Sequence, residues 1–187
     1  AMMAKLTEHR TVLKVMQRKT IGQADSPIRL PLEEMRRLCL EAGADDVGVV
    51  GIERHELDGQ RGDILRHFPP TRTLISFVCR MNREPIRSPA RSVANLEFHD
   101  AGHRVDEVAH RVVAALEARG VRALNPAMGF PMEMDRFPSK IWVVAHKPVA
   151  EAAGLGRMGI HRNVIHPRFG NFILLGTVLT DAAVDGE

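Results

Sequence analysis

The sequence predicts an α+β sandwich in which helices flank a central mixed sheet. Two segments, 31–42 and 100–119, carry apolar residues at helical spacing. Three short apolar runs bounded by turn residues, at 47–50, 74–79 and 172–179, are typical of buried strands. Because strands and helices alternate along the chain, we expect them to pack as layers around a shared core.

The length and composition favour one folded domain. The chain has 187 residues, of which 44% are hydrophobic, so it can bury a substantial core. Residues 1–25 are polar and basic, with only a weak helical pattern. We therefore expect a basic N-terminal arm over 1–25, followed by a single domain over 26–187.

The charge pattern argues against several classes of protein. The 26 basic and 23 acidic residues are well mixed, aromatic residues make up only 4%, and tyrosine is absent. Nucleic-acid surfaces combine basic clusters with stacking aromatics, so no strong nucleic-acid signal is present. The chain has no apolar run near the ~20 residues of a membrane span and no signal-peptide core. We expect no membrane segment and a cytoplasmic location.

Local signals define the first half of the fold. Pro31 opens the first helix, where its missing N–H is tolerated, and Gly43 ends it. The strand 47–50 follows, then a half-exposed helix over 53–67. Residues 81–98 show no clear period and contain two prolines, which predicts an ordered loop.

The second half repeats this alternation. An apolar stripe over 100–119 predicts the longest helix, and Gly120 ends it. A strand over 121–124 leads to a long Pro/Gly/Met loop, 125–138. A strand at 141–145, a short helix at 148–153 and the strand 172–179 complete the prediction.

The two cysteines limit the redox chemistry. Cys39 and Cys79 lie in apolar contexts forty residues apart, which favours buried thiols over a disulfide or a metal pair. An iron–sulfur cluster needs about four cysteines, so none is expected in this chain. No other metal site is predicted.

The glycine-rich segment from Lys147 to Asp181 is the most informative part of the sequence. Glycines let a backbone approach a bulky ligand because no Cβ intervenes, so their density predicts a ligand-binding loop. The alternative is a set of tight turns. The G-x-G-x-x-G spacing within it is not a dinucleotide fingerprint, since it follows a predicted helix rather than a strand. The glycines are Gly154, Gly156, Gly159, Gly170 and Gly176.

The sequence of this segment resembles that of the corrinoid-binding domain shared by epoxyqueuosine reductases and reductive dehalogenases. The A-G-L-G element reads Ala153 to Gly156, the P-x-x-G turn reads Pro167 to Gly170, and the closing pair is Thr180-Asp181. The resemblance covers roughly 31–181 and implies a nitroreductase-like fold that binds cobalamin, base-off. The cofactor-binding residues that it implies are Ala153, Gly154, Leu155, Gly156, Met158, Gly159, Ile160, His161, Arg162, Asn163, Gly170, Asn171, Phe172 and Gly176.

The polar members of that set suit a corrinoid. Its amide groups can hydrogen-bond to imidazole and carboxamide side chains, and an arginine suits the phosphate of its tail. A polar surface turn would explain His161, Arg162 and Asn163 equally well. His166 follows them in the same segment.

The resemblance also suggests catalytic residues. The catalytic residues of the two families match this sequence less well than their cofactor-binding residues do. His99 and His103 fall at the start of the predicted long helix, in a region that borders the cavity of those reductases; Asp100 there suits a helix cap. The reductases' proton-donating aspartate matches Lys140 here, and the nearest carboxylate is Asp135. Dehalogenases use a tyrosine, and this chain has none. His99, His103 and Asp135 are thus the candidate catalytic residues.

The expected partners follow from this interpretation. The chain would act on a small-molecule substrate and receive electrons from an iron–sulfur domain or protein, since the clusters are not in residues 1–187. One alternative is a flavin enzyme of the same fold, with Arg157, Arg162 and Arg168 around the phosphate of FMN. Others are a non-catalytic corrinoid carrier or chaperone and a structural domain without a ligand. A homodimer is also possible.

Overall fold

The computed structural model describes residues 27–129 and 144–185. Helices and strands largely alternate along the first range, whereas in the second range one helix is followed by four strands. The helices are α1 (Leu32–Ala42), α2 (Asp58–His67), α3 (Arg83–Arg87), α4 (Arg91–Glu117) and α5 (His146–Ala152). The strands are β1 (Arg29–Pro31), β2 (Asp46–Gly51), β3 (Thr73–Arg80), β4 (Ala123–Leu124), β5 (Arg157–Met158), β6 (Val164–Ile165), β7 (Ile173–Thr180) and β8 (Ala183–Asp185).

The central sheet has four strands in the order β2-β3-β7-β4, all antiparallel to their neighbours. Strands β3 and β7 form its centre, with Arg80 opposite Ile173 and Thr73 opposite Thr180. Parallel pairing occurs separately, between β1 and β8. The α+β sandwich predicted from the sequence is confirmed, but its central sheet is antiparallel over the described strands rather than mixed.

Helices cover both faces of this sheet. On one face, α1 and α4 pack against β3 and β7, and on the other face α2 and α5 pack against the same strands. Because β-strand side chains alternate between faces, each central strand contributes to both layers. The first layer includes Met35, Val105, Val112, Ile75 and Phe77; the second includes Ile64, Val149, Leu74 and Leu179.

Glycines end three of the helices in the described ranges in the same way. Gly43 follows α1 with φ 112°, Gly120 follows α4 with φ 76°, and Gly154 follows α5 with φ 77°. After α5, the Gly154 amide donates to the Glu151 carbonyl and the Leu155 amide to the Ala150 carbonyl, both within 3.0 Å. This pair of bonds is the Schellman ending, in which a left-handed residue satisfies the last free carbonyls. The helix ends predicted at Gly43 and Gly120 are confirmed and follow from that geometry.

The long helix differs from its prediction. The sequence predicts a loop over 81–98 and a helix from 100, but α3 lies within that loop and α4 begins at Arg91. The first turns of α4 expose Val93, Leu96 and Phe98, so their apolar residues do not produce the stripe that marks a helix with one buried face. His99, Asp100 and His103 therefore lie inside the helix, and the prediction that Asp100 caps it is wrong.

Other predictions fall partly or wholly outside the described ranges. The N-terminal arm 1–25, most of the predicted strand 141–145 and the candidate residue Asp135 lie there. Val144 and Ala145, at the end of that predicted strand, are not in a strand. None of the helices in 27–129 and 144–185 is long and apolar enough to cross a bilayer.

The two cysteines are free and buried, as predicted from their apolar contexts. Cys39 is a buried residue of α1, and burial raises the pKa of its thiol to about 12. Burial also raises the pKa of the Cys79 thiol, although Arg104 nearby opposes the shift. Both side chains therefore stay protonated at neutral pH and act as small apolar residues of the core.

Candidate ligand-binding site

The site is built on α5, whose start is held by two buried side chains. The Gln60 side chain accepts a hydrogen bond from the Ala145 amide at 2.9 Å, and its own amide lies 3.4 Å from the Ala145 carbonyl. His146 Nδ1 lies 2.9 Å from Thr177 Oγ1, and its Nε2 lies 3.3 Å from the Ala127 carbonyl. A carbonyl can only accept, so Nε2 carries the proton and Nδ1 accepts from the hydroxyl.

The end of α5 lies directly against β2. A Cβ at Gly48 would come 2.3 Å from the Ala153 carbonyl oxygen, much closer than side chains pack. Glycine at this position therefore allows the helix to approach the sheet. The segment after Ala153 begins at that contact.

A β-hairpin follows, formed by β5 and β6 with a tip at 159–163. Lys147 of α5 holds the tip, because its ammonium donates to the Arg162 carbonyl at 2.8 Å and to Asn163 Oδ1 at 2.9 Å. Glu151 accepts a hydrogen bond from the Met158 amide at 3.1 Å. Arg162 has φ 61°, and it is the one non-glycine residue of the described ranges in the left-handed region. Helix α5 thus holds a tightly turned hairpin.

The glycines of the segment have partners within the chain. A Cβ at Gly156 would come 2.4 Å from the Ile165 carbonyl oxygen, and one at Gly159 would come 2.6 Å from the His161 ring. Gly170 has φ 67°, and Gly176 lies under the Phe77 ring. Turns and close packing therefore account for glycine at these positions, so glycine density alone does not establish a ligand.

The turn from His166 to Gly170 is fixed by a buried histidine. His166 Nδ1 accepts from the amides of Arg168 and Phe169 at 3.1 and 3.3 Å, so the proton sits on Nε2. Nε2 donates to Asp46 Oδ2 at 2.9 Å. The imidazole stacks on the Phe169 ring with centroids 4.8 Å apart, and the backbones of His166 and Gly170 pair across the turn.

A cationic cleft lies between this turn and the end of β3. Its volume is about 280 Å³. The Arg168 guanidinium lies 5.0 Å from the centroid of the Phe169 ring. Arg80 lies 3.2 Å from Asp45, and the Met81 amide donates to the Phe172 carbonyl at 2.9 Å, which joins the two walls. The lining residues are Arg80, Met81, Asn82, Arg83, Arg168, Phe169 and Phe172.

A second groove of about 720 Å³ lies at the opposite end of β3. Its lining contains both signs of charge, from Glu53, Arg72, Arg122 and Asp181. Asp181 accepts from the Arg122 amide at 2.9 Å, and the Arg122 guanidinium lies 5.6 Å from the Phe68 ring. This groove is remote from the hairpin and offers no uniform charge to a ligand.

The predicted cofactor-binding residues lie in four different environments. Leu155 and Gly176 are buried in the core, and Ala153, Gly154, Gly156 and Gly159 form turns and backbone contacts. Phe172 lines the cleft, with Gly170 and Asn171 immediately before it. The exposed group lies on the hairpin and consists of Met158, Ile160, His161, Arg162 and Asn163.

The candidate catalytic histidines lie elsewhere. His99 and His103 are exposed on α4, and the described contacts of His99 include an edge-on approach of the Phe98 ring at 5.8 Å. The structure does not bring them into the cleft lining or onto the hairpin. Asp135 lies outside the described residues.

Sequence reasoning missed part of the site. The wall formed by residues 80–83 lies at the edge of the segment predicted as a loop, and His146 was not singled out. The available signal was the Arg-Met-Asn-Arg run directly after an apolar strand, since polar residues at strand ends often face a cleft.

Burial lowers the pKa of His146, mainly by removing water from its charged form, although the Ala127 carbonyl and the charge of Asp106 oppose this. Below its usual pKa of 6.5 the unfolded chain binds a proton that the folded chain does not. The stability contributed by neutral His146 is thus complete above that pH and is lost as the pH falls below it. The slope is at most about 1.4 kcal/mol per pH unit.

We expect His146→Gln to reduce this loss between about pH 7.5 and about pH 5. Urea unfolding of both proteins at the two pH values measures the difference. His110→Gln, which changes an exposed histidine of α4, is the matched control. An unchanged slope in His146→Gln would contradict the assignment.

The fold matches solved structures of two groups of reductases. A reductive dehalogenase described with a mechanism for B12-dependent dehalogenation superposes with a TM-score of 0.61 at 18% identity, covering 87% of this chain and 22% of that chain. A catabolic reductive dehalogenase in complex with 3-bromo-4-hydroxybenzoic acid gives 0.60 at 19% identity, covering 84% and 22%. Epoxyqueuosine reductase from Streptococcus thermophilus gives 0.52 at 13% identity, covering 83% and 47%.

This chain therefore spans less than half the length of the structures that it matches. No protein-family model and no curated protein sequence matches it. The identities lie between 13% and 19%, at which structural likeness establishes the fold. The chain has the fold shared by epoxyqueuosine reductases and reductive dehalogenases, which confirms the fold that the resemblance of residues 147–181 implies.

Proposed function

We propose that this chain is the corrinoid-binding part of a reductase that receives electrons from iron–sulfur clusters outside residues 1–187. The observation that carries the proposal is the likeness over 87% of this chain to a dehalogenase described as B12-dependent. The resemblance of 147–181 to the corrinoid-binding segment of both reductase groups supports it independently. Since the chain spans 22% of that dehalogenase, the substrate and the electron donor are part of the proposal.

The exposed residues of the hairpin suit the edge of a corrinoid. Ile160 is fully exposed and Met158 is partly exposed, so both can cover an apolar ring face. His161, Arg162 and Asn163 at the tip can hydrogen-bond to amides or to a phosphate. The cleft of about 280 Å³ has room for a phosphate and its neighbouring atoms rather than for the macrocycle. The described residues thus fit one face and the polar periphery of the group.

The residues of the chain would hold, orient and shield the ligand. A corrinoid, when bound, supplies a cobalt centre for reductive chemistry. Lys147 and Glu151 keep the hairpin in a fixed position, which reduces the entropy lost when a ligand binds. His99, His103 and Asp135 are the proposed proton donors to a small-molecule substrate, although neither histidine lies at the cleft or on the hairpin.

The test is a visible-spectrum titration of the purified chain with hydroxocobalamin. We expect saturable binding with a base-off shift. Ile160→Ser should weaken it about five- to tenfold, because contact with an isoleucine side chain contributes about 1–1.4 kcal/mol when the ligand covers part of it. The side chain is fully exposed in the free chain, so the substitution should leave the melting temperature unchanged.

Leu40→Ser is the matched control, since Leu40 is an exposed apolar residue of α1, away from the hairpin. Equal affinities for the two variants would place the ligand elsewhere, and the absence of saturable binding would contradict the cofactor assignment. Substrate turnover by the chain alone with a simple reductant would contradict the external electron donor. Corrinoid binding without turnover, even with an iron–sulfur donor added, would favour a carrier.

A flavin enzyme is the second candidate, and the arginines of the cleft favour it. Arg168 lies against Phe169, where it could bind the phosphate of FMN. A parallel titration with FMN separates the two cofactors. Binding of FMN without a response to hydroxocobalamin would replace the corrinoid proposal by a flavin reductase.

A further inference from the structure

We infer that the cationic cleft binds a phosphate group attached to a flat ring, as in a nucleoside monophosphate. This inference does not depend on the corrinoid proposal. Arg83 and Arg168 line the cleft, and neither has an acidic partner among residues 27–129 and 144–185. Arg80 also lines it, with its charge balanced in part by Asp45 at 3.2 Å. No carboxylate is among the lining residues of the described ranges, so arginines supply the charge of this lining.

The guanidinium groups of the cleft suit a phosphate. Each can present two parallel N–H donors, which match the spacing of two phosphate oxygens. Arg83 stands on one wall of the cleft and Arg168 on the other. A phosphate between them would receive donors from both sides, and bulk water would remain on the open side only.

The aromatic and guanidinium groups that line the cleft suit a flat ring in the ligand. The Arg168 guanidinium lies over the Phe169 ring, 5.0 Å from its centroid, and the His166 imidazole stacks on the same ring, so a ligand ring would meet the guanidinium rather than Phe169 itself. Bases stack on aromatic rings and on guanidinium planes alike. Phe172 adds a further half-buried ring to the lining. With about 280 Å³, the cleft has the size of a mononucleotide rather than of a dinucleotide or a peptide.

Both walls are held in place before any ligand binds. The Arg80 amide donates to Asp45 Oδ2 at 2.9 Å, and the amide and side chain of Asn82 donate to Glu97 at 2.6 and 3.2 Å. On the other wall, His166 accepts from the amides of Arg168 and Phe169. A site whose backbone is fixed in this way loses little entropy on binding.

The test is calorimetric titration of the chain with adenosine 5′-monophosphate, adenosine and inorganic phosphate. We expect saturable binding of the monophosphate, at least about tenfold tighter than that of either fragment, since both the phosphate and the ring contribute. Arg83→Ala and Arg168→Ala should each weaken it about tenfold, because each removes a charge-assisted contact. Both side chains are exposed, and circular dichroism should show unchanged folding.

Arg87→Ala is the matched control. It removes the same charge from the same helix, but Arg87 pairs with Glu84 and does not line the cleft. An equal loss of affinity in Arg87→Ala would overturn the inference, because it would show a diffuse charge effect. Monophosphate binding no tighter than that of inorganic phosphate would overturn the requirement for a ring.

Competition with hydroxocobalamin identifies the source of the phosphate. Displacement of the monophosphate would assign the cleft to the phosphate of a corrinoid tail, and simultaneous binding would assign it to a separate nucleotide. Binding of hydroxocobalamin without the monophosphate would overturn this inference and leave the proposed function intact. Binding of the monophosphate alone would support the inference and contradict the corrinoid.

Discussion

Replacing Gly176 with alanine is expected to lower the free energy of unfolding by about 3 kcal/mol, the upper part of the range for an overpacked core. Gly176 lies in β7 directly opposite Phe77 of β3. An alanine Cβ would come 2.1 Å from Cζ of the Phe77 ring and within 2.7 Å of two further ring atoms. Phe77 is fully buried between α1, α4 and the sheet, so its ring has no free space to enter.

A double-mutant cycle tests whether the Phe77 ring causes this loss of stability. Phe77→Leu shortens the ring side chain, so Gly176→Ala should cost at least about 1 kcal/mol less in that background. Gly62→Ala is the control, because Gly62 is an exposed residue inside α2 with nothing within 4 Å of an added Cβ. That substitution should stabilise the protein by about 0.5–1 kcal/mol. Urea unfolding measures the four proteins of the cycle and the control, and additive effects of Phe77→Leu and Gly176→Ala would contradict the contact.

Replacing His166 with alanine is expected to lower the free energy of unfolding by about 2–4 kcal/mol. The imidazole is buried, donates to Asp46 and accepts from two amides of its own turn. Its removal leaves a cavity beside Phe169 and releases the turn that carries Arg168. We therefore expect the affinity of the cleft for the nucleoside monophosphate to fall as well.

Two further variants separate these roles. In the variant His166→Asn, the side-chain oxygen can accept the hydrogen bonds from the turn amides that Nδ1 accepts. In the variant His166→Gln, the side-chain nitrogen can donate to Asp46 as Nε2 does. We expect asparagine to recover ligand affinity and glutamine to recover stability through Asp46. Calorimetric titration and urea unfolding provide the two readouts, and His110→Ala is the exposed control. Identical behaviour of the two variants would show that the turn and the Asp46 contact are not separable.

The elements that the sequence predicted well are those with a clear apolar period. The strands near 74–79 and 172–179 and the helix ending at Gly43 were found within about two residues, because burial and the left-handed glycine leave local signals. The start of α4 was not found, since its first turns expose apolar side chains and bury no continuous face. Local pattern cannot show whether an apolar side chain is buried.

The turns of the segment 147–181 leave a local sequence signal, but their packing partners do not. Glycine occurs at the turns of Gly154 and Gly170, yet Gly176 lies in a strand, and its partner is Phe77, about a hundred residues earlier, through a contact that depends on strand register. The cleft has the same origin, because Arg80 and Phe172 meet only when β3 pairs with β7. Such pairings between distant parts of the chain carry no local sequence signal.

The pairing of β1 with β8 constrains the order in which the domain can form. Arg29 is aligned with Ala183, and the side chains of Arg29 and Asp185 form an ion pair across the strands. These partners are separated by nearly the whole described chain, so closing the contact requires the sheet to bring them together first. During synthesis on the ribosome, β1 emerges before β8 and stays without this partner until β8 has left the exit tunnel. The pairing of β1 is thus completed late, and until then its backbone is accessible to chaperones or to other chains.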